Sequence, residues 1–201
     1  SKFVRTNTDI DKGGISVSSA AIDQIGNIKN SENLSILCVG AGRTSKLSIK
    51  QLFSKKFKNI YITNRTESNT AQLLNNFDLK LVNFKKWKEK LYSVDIIIFS
   101  TSSKKPLLTD SDLTNIDTKR NKKIVLVDLS VPRNIVIDKN YKNVDLVDLD
   151  KLKDKVNENY NKRISEIKKA EELVEKHVIE FNEWMDSREL RPSIISIKRE
   201  I

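Results

Sequence analysis

The sequence carries one cysteine, Cys38, and one histidine, His177, among 201 residues. A single thiol excludes an intrachain disulfide and a cysteine-built zinc cluster, and it suits a reducing compartment. A single imidazole beside it excludes the usual metal constellations as well. Proline occurs three times and glycine five times, so each one punctuates the chain where it stands. No apolar run approaches the ~18 residues of a membrane span. The opening Ser1-Lys2-Phe3 has neither an initiator methionine nor the short apolar core of a signal peptide. The expectation is a cytoplasmic protein with no membrane attachment.

Acidic residues are in deficit, 27 against 37 Lys and Arg, which leaves a net charge of +10. Such an excess is one footprint of a nucleic-acid partner. Here 28 of the basic residues are Lys, and Lys, Asn and Ile together fill 70 of the 201 positions. Those three share A/T-rich codons, so an AT-rich genome accounts for the bias. Arg, the better reader of phosphates, occurs only nine times. The charge alone assigns no partner.

What is present is an alternation of strands and helices. Short apolar, β-branched runs stand at 35–39, 59–63, 79–82, 95–100, 123–130 and 144–149. Segments with helical spacing, such as 44–57, 67–77 and 84–92, lie between them. Unbroken apolar runs such as Asp95-Ile96-Ile97-Ile98 suit parallel strands covered on both faces by crossover helices. The pattern predicts an α/β fold, a Rossmann-like doubly wound and mostly parallel sheet, over 31–150. Residues 1–30 form a separate piece, with a Ser/Ala-rich helix over 15–28 after Gly13-Gly14. Nothing before Gly13 looks like a complete domain, so the chain is expected to begin inside a larger protein.

Beyond Asp150 neither Gly nor Pro occurs until Pro192. Apolar residues recur at Leu152, Val156, Tyr160, Ile164, Ile167, Val174, Val178, Phe181 and Met185, mostly three, four or seven apart. That predicts one amphipathic helix of roughly 35 residues, ~50 Å long, within a third segment 151–201. Pro192 is expected to end it, with a second helix from Ser193. A helix this long needs a partner for its stripe, either the sheet domain or another chain.

The chemistry concentrates where the first strand runs into Gly40-Ala41-Gly42-Arg43-Thr44-Ser45 and then a helix. The first glycine of such a loop permits a tight turn, and the second lets the backbone approach a pyrophosphate. The helix N-terminus then presents free N–H groups and the positive end of its dipole. Ser45 stands where a third glycine is usual. An NAD-binding domain places an acidic residue about 20 to 25 positions further on, against the ribose 2′-hydroxyl. Here Asn64, Arg65 and Thr66 occupy that place, and a guanidinium with hydroxyls favours a 2′-phosphate, hence NADPH. Ser100-Thr101-Ser102 and the turn at Pro132 mark the carboxyl ends of two later strands, where ligands bind in open α/β sheets. They are the candidates for the nicotinamide half. Arg133 is placed to pair with Asp128 or to reach a substrate.

Other residues read as structural. Cys38 sits inside the first strand, where a small buried hydrophobe is expected. His177 falls in the long helix, far in sequence from any catalytic group. Trp87 and Trp184 read as packing anchors, and Lys55-Lys56 and Lys122-Lys123 as solvated faces.

Taken in order, these motifs resemble those of one family, glutamyl-tRNA reductase. Val4-Arg5-Thr6-Asn7-Thr8 and the run Gly14 to Ala21 look like the end of its catalytic domain and its connecting helix. Gly40-Ala41-Gly42, Asn64-Arg65-Thr66, Asp95 to Ser102 and Val131-Pro132-Arg133 follow its NADPH-binding domain. Asp148-Leu149-Asp150, Arg163, Ala170-Glu171, Phe181 to Trp184 and Ser187 to Pro192 are similar to its helical dimerisation domain. Arg43, Thr44 and Ser45 depart from the family pattern.

The resemblance implies NADPH-dependent reduction of glutamyl-tRNA to glutamate-1-semialdehyde in tetrapyrrole biosynthesis. It also implies a homodimer through the long helix, and a nucleophilic Cys in a catalytic domain that has no match in these residues. The chain would then supply the cofactor part and be inactive alone, with no catalytic residue of its own. Two rivals stand beside it. An NADP-dependent oxidoreductase of the shikimate-dehydrogenase type would close with a shorter helical return to its substrate domain. A non-catalytic assembly module would use the long helix and leave the loop empty.

Overall fold

The computed structural model describes residues 2–10, 16–28 and 31–199, the side chains of Ser31 and of 189–199 excepted. The Gly13-Gly14-Ile15 stretch lies outside the described residues. In chain order the elements are α1 (Lys2–Asn7), α2 (Val17–Gly26), β1 (Ser35–Val39), α3 (Arg43–Ser54), β2 (Asn59–Thr63), α4 (Ala71–Asn76), β3 (Lys80–Leu81) and β4 (Ile96–Phe99). There follow β5 (Leu108–Thr109), α5 (Asp110–Leu113), α6 (Ile116–Lys119), β6 (Ile124–Asp128), β7 (Ile135–Val136), β8 (Val144–Asp148) and α7 (Leu149–Arg199). Two compact units result, one of 13–157 and one of 1–12 with 158–201.

The first unit is built on a six-stranded sheet in the order β3-β2-β1-β4-β6-β8, every pairing parallel. The chain begins in the middle, winds outward to β3, then returns to the other side of β1 at β4. This reversal makes the crevice between β1 and β4 the topological switch point. Side chains alternate across the sheet as period two requires. Ile36, Cys38, Ile60, Ile62, Ile96 and Ile98 pack on one face with α2, α3 and the first turns of α7. Leu37, Val39, Ile97, Phe99 and Leu126 pack on the other with Trp87, Leu91, Leu113 and Ile116. Burial on both faces is why these strands read as unbroken apolar runs.

Helix α2 belongs to this core: Ala20, Ala21, Ile22 and Ile25 are buried, and Ser16 caps its start by accepting the Ser19 N–H at 3.1 Å. Trp87 is buried edge-on against Phe99, with ring centroids 5.4 Å apart. Cys38 is fully enclosed in β1, and burial pushes its thiol up to about 12, far from a thiolate at neutral pH. The segments at 67–77 and 84–92 tighten into 3-10 turns at Glu67–Thr70 and Trp87–Tyr92 in place of longer α-helices. A two-stranded ribbon, β5 with β7, adds a small parallel pair.

The second unit contains α1 and α7 from Glu158 onward. The Asp9 N–H donates to Glu166 at 2.8 Å, and the Phe3 ring lies 4.3 Å from that of His177. Helix α7 does not stop at Pro192 but continues to Arg199. Within an established helix a proline removes one hydrogen bond to the carbonyl four residues back, and the remaining ladder carries on. Trp184, expected as a packing anchor, is 49 % exposed, and among the described residues its ring meets Phe181 and Arg188. Among the described residues no helix is long and apolar enough to cross a membrane.

Candidate cofactor site

The site is built from the carboxyl ends of β1, β2, β4 and β6. At the end of β1, Gly40 has φ +114°, a conformation that L side chains rarely adopt, and its N–H donates to the Thr63 carbonyl at 2.8 Å. A Cβ there would enter the 3.0 Å zone around the Ser100 carbonyl oxygen and stand 3.2 Å from Thr101 Cγ2. Glycine at 40 thus lets the end of β1 lie directly against the end of β4.

Two residues on, Gly42 precedes α3 with φ −77° and ψ −173°, and no side chain caps the helix. Nothing lies within 4 Å of the place its Cβ would fill. The first N–H groups of a helix have no partner within it, so this start offers donors and a positive dipole end toward open space. Arg43 and Thr44 are exposed there, while Ala41 is buried in the turn. Ser45, the departure from a third glycine, is 1 % exposed, and its hydroxyl donates to the Gly40 carbonyl at 2.6 Å. The serine locks the turn that a glycine would leave to backbone packing alone.

Beside this loop, β2 ends in Thr63, whose buried hydroxyl has no hydrogen-bond partner. Asn64 follows, half-buried, with its amide donating to the Thr66 carbonyl at 2.7 Å. That short loop leaves Arg65 and Thr66 exposed. Across the crevice Ser100 is buried, and its hydroxyl also lacks a partner. The open start of α3 at this edge of the sheet suits an anionic group of a polar ligand.

The loops after β4 and β6 are knitted together. Asp128, 1 % exposed at the end of β6, accepts the N–H groups of Ser130 at 3.0 Å, Asn134 at 2.7 Å and Ile135 at 2.9 Å. The Thr101 N–H donates to the Ser130 hydroxyl at 3.1 Å, and the Thr101 hydroxyl donates to the Asn134 side-chain oxygen. Ser102 is exposed beside them, and Pro132 is exposed after a cis peptide bond from Val131. Asn134 escaped sequence reasoning because its partners Thr101 and Ser103 lie 33 and 31 positions away.

Arg133 reaches neither Asp128 nor the crevice. It pairs with Asp148 at 3.5 Å and with Asp150. Asp150 is held below the usual carboxylate range, first by Lys153 and then by Arg133. The two acidic residues at the β8–α7 junction thus draw the guanidinium away from its expected position.

Gly40 to Ser45, Thr63 to Asn64, and Ser100 to Thr101 therefore meet at the switch point, with Pro132 joined to them through Asn134. A cavity of about 730 Å³ opens elsewhere, between α2 and the edge strand β8, lined by Gln24, Ile25, Val144 and Leu146 among others. None of the loop residues lines it. We place the candidate site at the switch point because the glycine turn and the open helix start lie there.

Comparison with known proteins adds to this geometry. The family model described as shikimate / quinate 5-dehydrogenase matches residues 22–155. The glutamyl-tRNA reductase of Chlorobium phaeobacteroides is 35 % identical over 98 % of the chain, which covers 47 % of that relative. The chain spans about half the length of the curated relatives it matches. Among solved structures, the glutamyl-tRNA reductase of Methanopyrus kandleri superposes with a TM-score of 0.81 at 26 % identity, over 93 % of this chain and 48 % of that one. The nucleotide-binding domain of the Thermoplasma volcanium glutamyl-tRNA reductase shares the fold, with a TM-score of 0.52 at 20 % identity over 75 % of this chain and 98 % of that one.

The expected resemblance to glutamyl-tRNA reductases is borne out. The shikimate-dehydrogenase rival is not favoured, because the match named for it stops at 155 while the reductase match runs through the long helix. Rossmann-type dehydrogenases of this kind use a nicotinamide cofactor. By its sheet domain the chain belongs to the shikimate / quinate 5-dehydrogenase family, and along nearly its whole length it is a homologue of glutamyl-tRNA reductases.

Proposed function

We propose that this chain binds NADPH as the cofactor-holding part of a glutamyl-tRNA reductase. The observation that carries the reading is the glycine turn from β1 into the uncapped start of α3, with open space at Gly42. Gly40 to Ser45, with Ala41, Arg43 and Thr44, would receive the pyrophosphate on backbone N–H groups. Asn64, Arg65 and Thr66, just past β2, would take the 2′-phosphate. Ser100, Thr101, Ser102 and Pro132 would border the nicotinamide ribose. When bound, the cofactor would supply a hydride to a glutamyl group that a thiolate has already taken from its tRNA, giving glutamate-1-semialdehyde and returning the thiolate. Cys38, the only cysteine in the sequence, is buried in β1, so the thiolate would come from outside these residues.

Arg65 supplies the test of cofactor choice. Calorimetric titration should show NADPH binding more tightly than NADH. Arg65→Ala should weaken NADPH about tenfold or more and leave NADH unchanged, the worth of one charge-assisted contact to phosphate. Equal loss of both nucleotides would place Arg65 outside the 2′-phosphate site.

The partner in this reading is a second copy, joined through α7. From Tyr160 onward the helix exposes Ile164, Ile167, Val174, Val178, Phe181 and Met185 by 41 to 57 % each. A row of this kind is what a helical interface buries. Sedimentation equilibrium should show concentration-dependent dimerisation that Ile167→Glu with Val174→Glu abolishes. A monomer at every concentration would remove the dimer from the account. In this reading glutamyl-tRNA is the substrate of the whole enzyme, and the activity is expected in the cytoplasm.

A further inference from the structure

The knot between the β4 and β6 loops goes beyond what a pyrophosphate cradle needs. Asn134 has no exposed surface, and every polar atom of its side chain is engaged. Its amide donates to the Ser103 carbonyl at 3.1 Å and the Pro132 carbonyl at 3.3 Å, and its oxygen accepts the Thr101 hydroxyl. The Thr101 oxygen in turn accepts the Ser103 N–H at 3.0 Å. Burying an amide is costly unless it is fully bonded, and a leucine would fill such a space more cheaply. What the amide fixes, and a leucine cannot, is the course of 101–103. That segment is the far wall of the crevice, since Thr101 Cγ2 stands 3.2 Å from where a Cβ on Gly40 would lie.

Resting on the NADPH reading above, we infer that Asn134 is a positioning residue for the nicotinamide end of the site. It holds Thr101 and Ser103 so that the Thr101–Ser102 wall meets the nicotinamide ribose, while the adenosine end is bound independently by the loops after β1 and β2. Asn134 touches no part of the cofactor in this account and acts through Thr101.

Two probes separate the two ends: NADPH, and 2′,5′-ADP, which lacks the nicotinamide half. Asn134→Ala and Thr101→Val should each weaken NADPH about tenfold and leave 2′,5′-ADP within about twofold. The double variant should lose no more than the worse single one, because both substitutions break the same link. Thr101→Ser, which keeps the hydroxyl, should restore NADPH affinity. In the cofactor-free chain, Asn134→Ala should also speed amide exchange at Thr101 and Ser103 without changing β1 or β2.

Unchanged NADPH binding, or a parallel loss of both probes, would overturn the inference. In the first case the knot is irrelevant to binding, and in the second it only holds the domain together. Should Asn134→Ala fail to fold, the Thr101→Val and Thr101→Ser pair decides by the same comparison. An unaltered chain that binds neither probe contradicts the cofactor reading itself and this inference with it.

Discussion

Gly40→Ala is expected to destabilise the protein by about 3–5 kcal/mol and to lower its melting temperature by about 10 °C. Two costs combine. A side chain would have to be held at φ +114°, and its Cβ would be driven into the Ser100 carbonyl, which is backbone and cannot swing aside. Relief requires β1 and β4 to separate at their carboxyl ends, which opens the crevice as well. Gly42→Ala is the informative contrast. At φ −77° and beside open space, an alanine should change stability by no more than about 1 kcal/mol. Its methyl group would still stand where a pyrophosphate must approach, so NADPH affinity should fall about tenfold or more on the proposed reading. Thermal unfolding followed by circular dichroism, with a nucleotide titration of each variant, reads both effects. Equal behaviour of the two alanines would mean that the glycines do not divide their work in this way.

Asp128→Ala should be the second large loss, about 3–5 kcal/mol by urea unfolding. The carboxylate lies 1 % exposed and accepts three backbone N–H groups within one turn. Removing it strands three buried donors, each costing about 1–3 kcal/mol unless water reaches it. Asp128→Asn keeps one carbonyl oxygen and should cost less, about 1–3 kcal/mol, because its other end presents a donor to a donor. An unmoved urea midpoint for the alanine variant would show that the β6 loop does not depend on this carboxylate.

The parts of the fold set by local pattern were legible in the sequence. Strands β1, β2, β4 and β6 could be read because burial on both faces leaves unbroken apolar runs, and Gly40-Ala41-Gly42 stood out in a chain with five glycines. The parts set by contacts between distant residues were not. The links from Thr101 to Ser130 and to Asn134 join positions 29 and 33 apart through side chains that look like ordinary loop polarity. Arg133 invited pairing with Asp128 by proximity in sequence, yet the parallel register of β6 with β8 brings Asp128 level with Asp148, and Arg133 turns to Asp148 and Asp150.

Short elements were hidden for a different reason. The two-residue strands β5 and β7 and the 3-10 turns are too brief to show a period. Proline at 192 misled because its rule describes helix initiation and local cost, and a helix of this length absorbs one missing bond. Ser45 looked like a defect in the glycine loop and is a hydrogen-bonded substitute for the glycine.

The central claim is that the nucleotide lies at the switch point between β1 and β4. Amide chemical-shift mapping of the isotopically labelled chain during an NADPH titration tests it most directly. The account predicts saturable shifts clustered at Gly40 to Ser45, Asn64 to Thr66 and Thr101 to Ser103, with the cavity between α2 and β8 silent. Shifts gathered at Gln24, Val144 and Leu146, or no shifts at saturating NADPH, would contradict it.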